Sequence, residues 1–174
     1  MRNALDLLAE YARYHRDERN IITHMIGVPL IVFAVGVLLA KPEVPVGGLM
    51  LTPAWVAFTF AAVWYLRRHL VLGLIVTAAI FALLFVAQHV SHASIGVWLA
   101  WGIGCFVLGW AFQFLGHYYE GRRPAYMDDV ANLLVGPMFV AAELLFMAGW
   151  NKPMAQAIED RVGPTRVRDL AHPA

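Results

Sequence analysis

Apolar runs of roughly helical-span length alternate with short polar breaks along most of this chain. The first covers Ile21–Ala40 and ends at Lys41-Pro42-Glu43-Val44-Pro45 with Gly47-Gly48, a turn. A second, Pro53–Leu66, stops at Arg67-Arg68-His69. The third and fourth, Leu70–Val90 and Ile95–Leu115, are separated by Ser91-His92-Ala93-Ser94. A bilayer core needs about 20 residues of helix, so these runs predict membrane-crossing helices. The second is short on the ~17–25 residue scale unless residues 49–52 join it. Ahead of them, Leu5, Leu8, Ala12 and His15 recur at three- and four-residue spacing. Asp6, Glu10, Arg13 and Asp17 fall elsewhere, so residues 1–19 predict an amphipathic helix lying at the interface.

A fifth stretch, Val130–Trp150, is long enough to cross but contains Gly136-Pro137 and Glu143. With a cytoplasmic N-terminus, four spans leave Arg2, Arg13, Arg16, Arg19, Arg67, Arg68, Arg122 and Arg123 inside, and only Lys41 outside. A fifth full crossing would export Lys152, Arg161, Arg166 and Arg168, against the positive-inside rule. The expected fold is an all-α membrane helical bundle in one domain. It has an interfacial helix at 1–20, a bundle at 21–150 and a polar tail at 151–174. Four spans plus a broken, re-entrant or interfacial fifth segment are favoured over five full crossings. His15, His24 and His117 then share the cytoplasmic face, and His89 and His92 come out opposite.

Composition supports a lipid setting: 60% of residues are hydrophobic and 14% charged, whereas soluble domains carry nearer a quarter charged. The net charge of +1 gives no reason to expect a nucleic-acid partner. Cys105 is the single cysteine, which excludes an intrachain disulfide and a thiolate metal cage. No short apolar core with a cleavage site opens the chain, so targeting is expected to come from the first membrane helix. Gly102, Gly104 and Gly109 suit close helix packing rather than a phosphate loop.

The polar residues inside or beside the apolar runs are the candidates for chemistry, because such groups are costly at that depth. His117 and Glu120 project from one helical face, with Gln113 four residues before His117. A second histidine would complete a two-histidine, one-carboxylate set; the plainer reading pairs Glu120 with Arg122 or Arg123. His24 lies four residues after Asn20, just inside the first span. On a straight helix His15 and His24 sit on opposite faces, about 13 Å apart along the axis. They can meet only if the chain bends near Arg16–Asn20, where no proline or glycine enforces a bend. His89 and His92 have metal-pair spacing but no nearby carboxylate, and read as solvated; His69 reads as an interfacial anchor. Glu143 is expected to point into the bundle, toward a histidine or arginine or as a site carboxylate. Asp128-Asp129 suit a helix N-terminus, and Asn132 is either polar glue or a support for the site. A ligand set of imidazole and carboxylate suits non-haem iron, with zinc or manganese as alternatives.

Tyr14-His15-Arg16, Asn20, Thr23-His24, Gly27 and Pro29-Leu30, with Gln113, Gly116-His117, Glu120-Gly121-Arg122 and Pro124-Ala125, together resemble the Mpo1-like family, also labelled DUF962. The likeness continues through Asn132-Leu133-Leu134-Val135-Gly136-Pro137 to Glu143, covering nearly the whole chain in order. It implies an Fe(II)-dependent dioxygenase that uses O2 to cleave a 2-hydroxy fatty acid to the acid one carbon shorter. It implies His15, His24 and His117 as the motif histidines, with Glu120 in the same cassette as a fourth ligand or an orienting group. Arg16, Arg19, Arg122 or Arg123 would hold the substrate carboxylate, and Asn20, Gln113, Asn132 and Glu143 would support the site. The tail Leu170-Ala171-His172-Pro173-Ala174 carries no endoplasmic-reticulum retention signal, so a bacterial inner membrane is the expected location. Competing readings are a transport or partner-binding membrane protein with structural histidines and a zinc-dependent membrane hydrolase. A di-iron enzyme is disfavoured because only three histidines gather on one face, and a haem protein would be coloured.

Overall fold

The structure, a computed structural model, describes residues 2–122 and 131–170. Its seven described helices are α1 Ala4–Ala12, α2 Glu18–Ala40, α3 Pro53–Arg68, α4 Leu70–Ser91, α5 Ile95–Glu120, α6 Asn132–Met147 and α7 Lys152–Val162. Strands β1 Val44–Val46 and β2 Leu49–Leu51 form a small antiparallel hairpin in register Val44↔Leu51. Its two-residue turn places Gly47 and Gly48 at φ +56° and +85°, the left-handed pair that a tight hairpin requires. Asp128, Asp129 and the Pro124-Ala125 pair lie outside the described residues, as does His172.

Helices α2, α4 and α5 are each long and apolar enough to cross a membrane. The α6–α7 pair passes the same test together but is bent by 116°, as a broken span or re-entrant segment would be. That bend is not at Gly136-Pro137, which α6 carries through its interior. It falls at Gly149 and Asn151, with φ +87° and +47°, where the Asn151 side chain accepts from the Met154 amide and starts α7. Helix α3 has 16 residues, or about 24 Å at 1.5 Å per residue, shorter than a ~30 Å hydrocarbon core.

The chain divides into two compact units. The unit at residues 29–110 holds most of α2, the hairpin, α3, α4 and the first part of α5. Ala40, Ala54 and Leu84 form its small buried core, with Leu39, Trp55, Phe58 and Ile80 against it. Helices α3 and α4 are joined by His69 alone, whose ring accepts from the Leu72 amide and so caps α4 rather than merely anchoring at an interface. Gly73 is needed there: a Cβ would lie 2.6 Å from the Tyr65 carbonyl oxygen. Gly102 likewise faces Leu38, but a Cβ at Gly104 would meet open space, so Gly104 is not a packing glycine.

The other unit comprises residues 1–28 and 111–174. Here the expected helix over 1–19 is interrupted. Helix α1 ends at Ala12, and α2 starts at Glu18 after a five-residue junction. Asp17 supplies the reason, because its Oδ1 accepts from the Arg19 amide at 2.9 Å as an N-cap does. The segment after α7 is not a free tail. It runs beside the junction, with the Arg166 amide donating to Arg16 O (2.8 Å) and the Glu18 amide donating to Arg166 O (3.2 Å).

Candidate metal centre

The interrupted helix brings His15 back over the start of α2. The His15, His24 and His117 rings converge, with one ligand nitrogen from each lying within 4.8 Å of the others. Ring centroids are 4.3 Å apart for His15–His24 and 5.1 Å for each pair with His117. All three side chains are buried. The bend that a straight-helix reading lacked is therefore present, enforced by tertiary contacts.

Protonation follows from the hydrogen bonds. His15 Nδ1 lies 2.8 Å from Tyr11 O, and His24 Nδ1 lies 2.9 Å from Asn20 O. A carbonyl oxygen only accepts, so each Nδ1 carries the proton and each neutral ring leaves Nε2 bare. Yet the two Nε2 atoms face each other at 3.0 Å. Two lone pairs at that distance repel unless a proton or a cation lies between them. A proton is disfavoured: burial, reinforced by His24 and His117, drives His15 well below its ordinary value. The buried Nδ1 of His117 also meets no hydrogen-bond partner among the described residues. Bare, buried imidazole nitrogens held by second hydrogen bonds are what a divalent transition metal takes, so the donor set fits the implied iron.

Glu120 does not enter this cluster of ligand atoms. Its Oε2 accepts from the Arg16 amide (2.9 Å), the Asp17 amide (2.9 Å) and Asn20 Nδ2 (3.0 Å). The carboxylate thereby clamps the last turn of α5 to the α1–α2 junction and fixes where His15 sits. Asn20 also donates to Tyr14 O at 2.9 Å, while its backbone carbonyl orients His24. Gly116 allows the close approach of α5 to α2: a Cβ there would overlap the Thr23 hydroxyl and the Asn20 side-chain oxygen.

The sequence is also recognisable, across residues of both units. The family profile described as "2-hydroxy-palmitic acid dioxygenase Mpo1-like" matches residues 1–148. The chain belongs to the Mpo1-like family. One curated member is the "2-hydroxy-palmitic acid dioxygenase MPO1" of Saccharomyces cerevisiae. It is 31% identical over 160 residues, covering 89% of this chain and 88% of the yeast protein. No solved structure matches.

The remaining candidates of this Mpo1-like chain separate by their partners. Arg16 donates to Ala12 O, His15 O and Gly163 O, and lies 3.9 Å from Glu143, so Glu143 faces an arginine. Arg19 forks onto Asp17 and also donates to Arg168 O. Arg122, exposed, donates to Arg13 O; Arg123 lies outside the described residues. Gln113 and Asn132 are buried, and Gln113 Nε2 has no hydrogen-bond partner among the described residues. His89 and His92 belong to the other unit, where His89 donates to Phe85 O and His92 lies 3.7 Å from Glu43, a carboxylate that sequence spacing did not suggest.

Two contributors escaped the sequence reading. Tyr11 stacks on His15 with centroids 4.1 Å apart and planes 5° from parallel, besides accepting its Nδ1–H. The i, i+4 spacing of Tyr11 and His15 was the available sign. The second is the segment Gly163–Arg168, which lies beyond the family match and whose contacts with the junction leave no local pattern.

Proposed function

We propose that this protein is an Fe(II)-dependent membrane dioxygenase that converts a 2-hydroxy fatty acid and O2 into the fatty acid one carbon shorter, with carbon dioxide and water. The observation that carries the reading is the pair of bare Nε2 atoms of His15 and His24 at 3.0 Å, with His117 completing the set. Family membership supports the substrate class, since the yeast relative is named for 2-hydroxy-palmitic acid.

Ferrous iron held here would supply the redox chemistry with O2 and open positions for chelation by the 2-hydroxyl and carboxylate. His15 and His24 hold it through nitrogens already freed by the Tyr11 and Asn20 carbonyls, and His117 supplies the third ring nitrogen. Glu120 acts as the orienting group rather than as a ligand, because its Oε2 is spent on the junction. Of the arginines considered for the substrate carboxylate, Arg16, Arg19 and Arg122 each already donate to protein partners, Arg19 most fully through its fork onto Asp17. The acyl chain lies along the apolar helices, continuous with the bilayer. The site faces the cytoplasm, in a bacterial inner membrane.

The same all-imidazole donor set also suits zinc, which would make the protein a hydrolase. Elemental mass spectrometry of the detergent-purified protein decides, with wild type beside His24→Ala and His117→Ala. Near-stoichiometric iron lost in both variants is the expected result, and 2-hydroxy fatty acids with O2 then become the assay. Zinc redirects the search to hydrolysis. No metal after anaerobic Fe(II) loading of folded protein refutes the metalloenzyme reading.

A further inference from the structure

Beside the junction lies a cavity of about 380 Å³, lined in part by Gly121, Val162, Gly163 and Pro164. Five arginines also line it, Arg13, Arg16, Arg122, Arg166 and Arg168, against two carboxylates, Asp17 and Glu120. Both carboxylates are already satisfied by amides and side chains around them. Arg16 and Arg122 are partly spent on backbone carbonyls at helix ends. The guanidiniums of Arg13, Arg166 and Arg168 are different: none has a hydrogen-bond or ion-pair partner among the described residues.

Helix-capping does not explain these three, and a merely solvated basic face would not be concave. The cavity is also built. Arg168 lies so close to Gly121, at φ +68°, that a Cβ there would overlap its guanidinium. The Arg168 amide is fixed by Asp17 Oδ2 at 2.8 Å, and Arg166 is fixed by backbone pairing with the junction. Arg166 and Arg168 come from the segment after α7, and Arg13 and Arg122 from just after α1 and α5.

We propose that this cavity is a second ligand site, distinct from the histidine cluster, for a phosphate-bearing anion. A single carboxylate would leave most of this charge unanswered. A phosphate brings more than one negative charge and three acceptor oxygens, matched by the planar forks of several arginines. The volume lies within the range of small-ligand pockets. Glu18 and Glu120 mark the adjoining ends of α2 and α5, so a lipid phosphate at the membrane surface and a soluble phosphate compound share the required chemistry. Five of the eleven lining residues lie beyond the family match at 148, so the site depends on this chain's own C-terminal segment.

The test measures thermal unfolding of the detergent-purified full chain by tryptophan fluorescence, titrated with pyrophosphate in one arm and phosphatidylglycerol in mixed micelles in the other. Wild type is compared with Arg166→Gln/Arg168→Gln, with Arg13→Gln, and with Arg161→Gln, whose partner is Asp6 outside the cavity. A saturable stabilisation of wild type and Arg161→Gln is expected, weakened about tenfold for each cavity guanidinium removed. Response to pyrophosphate alone assigns a soluble ligand, and response to the lipid alone assigns a headgroup; either supports the site. Equal responses in all four proteins, or none with either probe, overturn it. Metal content measured on the same samples keeps this outcome separate from the fate of the dioxygenase reading.

Discussion

The two units of this chain solve opposite problems. Of the eleven buried polar or charged residues among those described, nine fall in the unit at 1–28 and 111–174, and only Thr52 and Ser91 in the unit at 29–110. The second unit instead exposes a long series of large apolar side chains, such as Phe60, Leu74, Phe85, Trp101 and Val107, as a lipid-facing bundle would. Burying polar groups without partners is costly, so the first unit retains them by connecting them. Tyr11 and Asn20 carbonyls hold two histidines, and Glu120 holds the junction that carries one of them. The difference teaches that one unit is built for solvation in lipid and the other for a fixed arrangement of ligands.

The largest test of that contrast is to remove histidines from each unit. His24→Ala and His117→Ala are expected to abolish metal binding and oxygen-dependent turnover, whereas His89→Ala and His92→Ala retain both. Loss of metal in the second pair would show that the division of labour is misdrawn. Next in size is Glu120→Ala, which strands two buried amides and the Asn20 side chain at about 1–3 kcal/mol for each unsatisfied donor. Its companion Glu120→Gln keeps an acceptor, and should hold the fold while weakening metal affinity about 10–100-fold, as for other groups that orient ligands. Metal titration and thermal unfolding read the two effects apart.

A smaller, steric version uses two glycines of the same helix. Gly116→Ala forces a methyl into Thr23 and Asn20, an overpacking cost of about 1–3 kcal/mol, and displaces His24 with them. Gly104→Ala meets nothing and should be neutral or stabilising, by up to about 1 kcal/mol from helix propensity. Measured side by side, the unfolding midpoint is expected to fall for Gly116→Ala and to stay or rise for Gly104→Ala.

Much of the lipid-facing unit was legible because hydrophobic runs report directly on helix length. The starts of α3 and α4 and the end of α2 fall where Pro53, Leu70 and Lys41 placed them. Charge placement put the three histidines at one membrane face, but spacing set His15 and His24 on opposite helix faces, so bringing His15 into the set rested on the motifs of a family. What local pattern could not supply was the break at residues 13–17. It is held by Glu120, more than a hundred residues away in the chain, and by Arg166 in the segment after α7. The place of the bend in the fifth segment was not legible for a related reason. Proline loses one helix hydrogen bond but α6 tolerates it, whereas Gly149 and Asn151 adopt left-handed backbone that ends a helix outright.

The gentlest test concerns the cap itself. Burial pushes the Asp17 carboxyl up, but hydrogen bonds from the Arg19 guanidinium and from the Arg168 and Arg19 amides outweigh it and hold the group below its ordinary value. A carboxyl depressed in the folded state contributes stability that is complete above the unfolded value of about 4 and is lost as pH falls through the folded one. Wild type should therefore lose part of its thermal stability on acidification in that window, and Asp17→Asn should lose less because it has less to give up. At neutral pH the same variant keeps an acceptor for the cap, and should cost about 1 kcal/mol rather than unfold the junction. Glu43→Gln, at the His92 pair of the other unit, provides the contrast, as an exposed contact worth about 0–1 kcal/mol. If both substitutions flattened the acid limb equally, the connected polar network would not be what distinguishes the first unit. If only Asp17→Asn does, the junction that positions His15 is stabilised by charge that the lipid-facing unit does without.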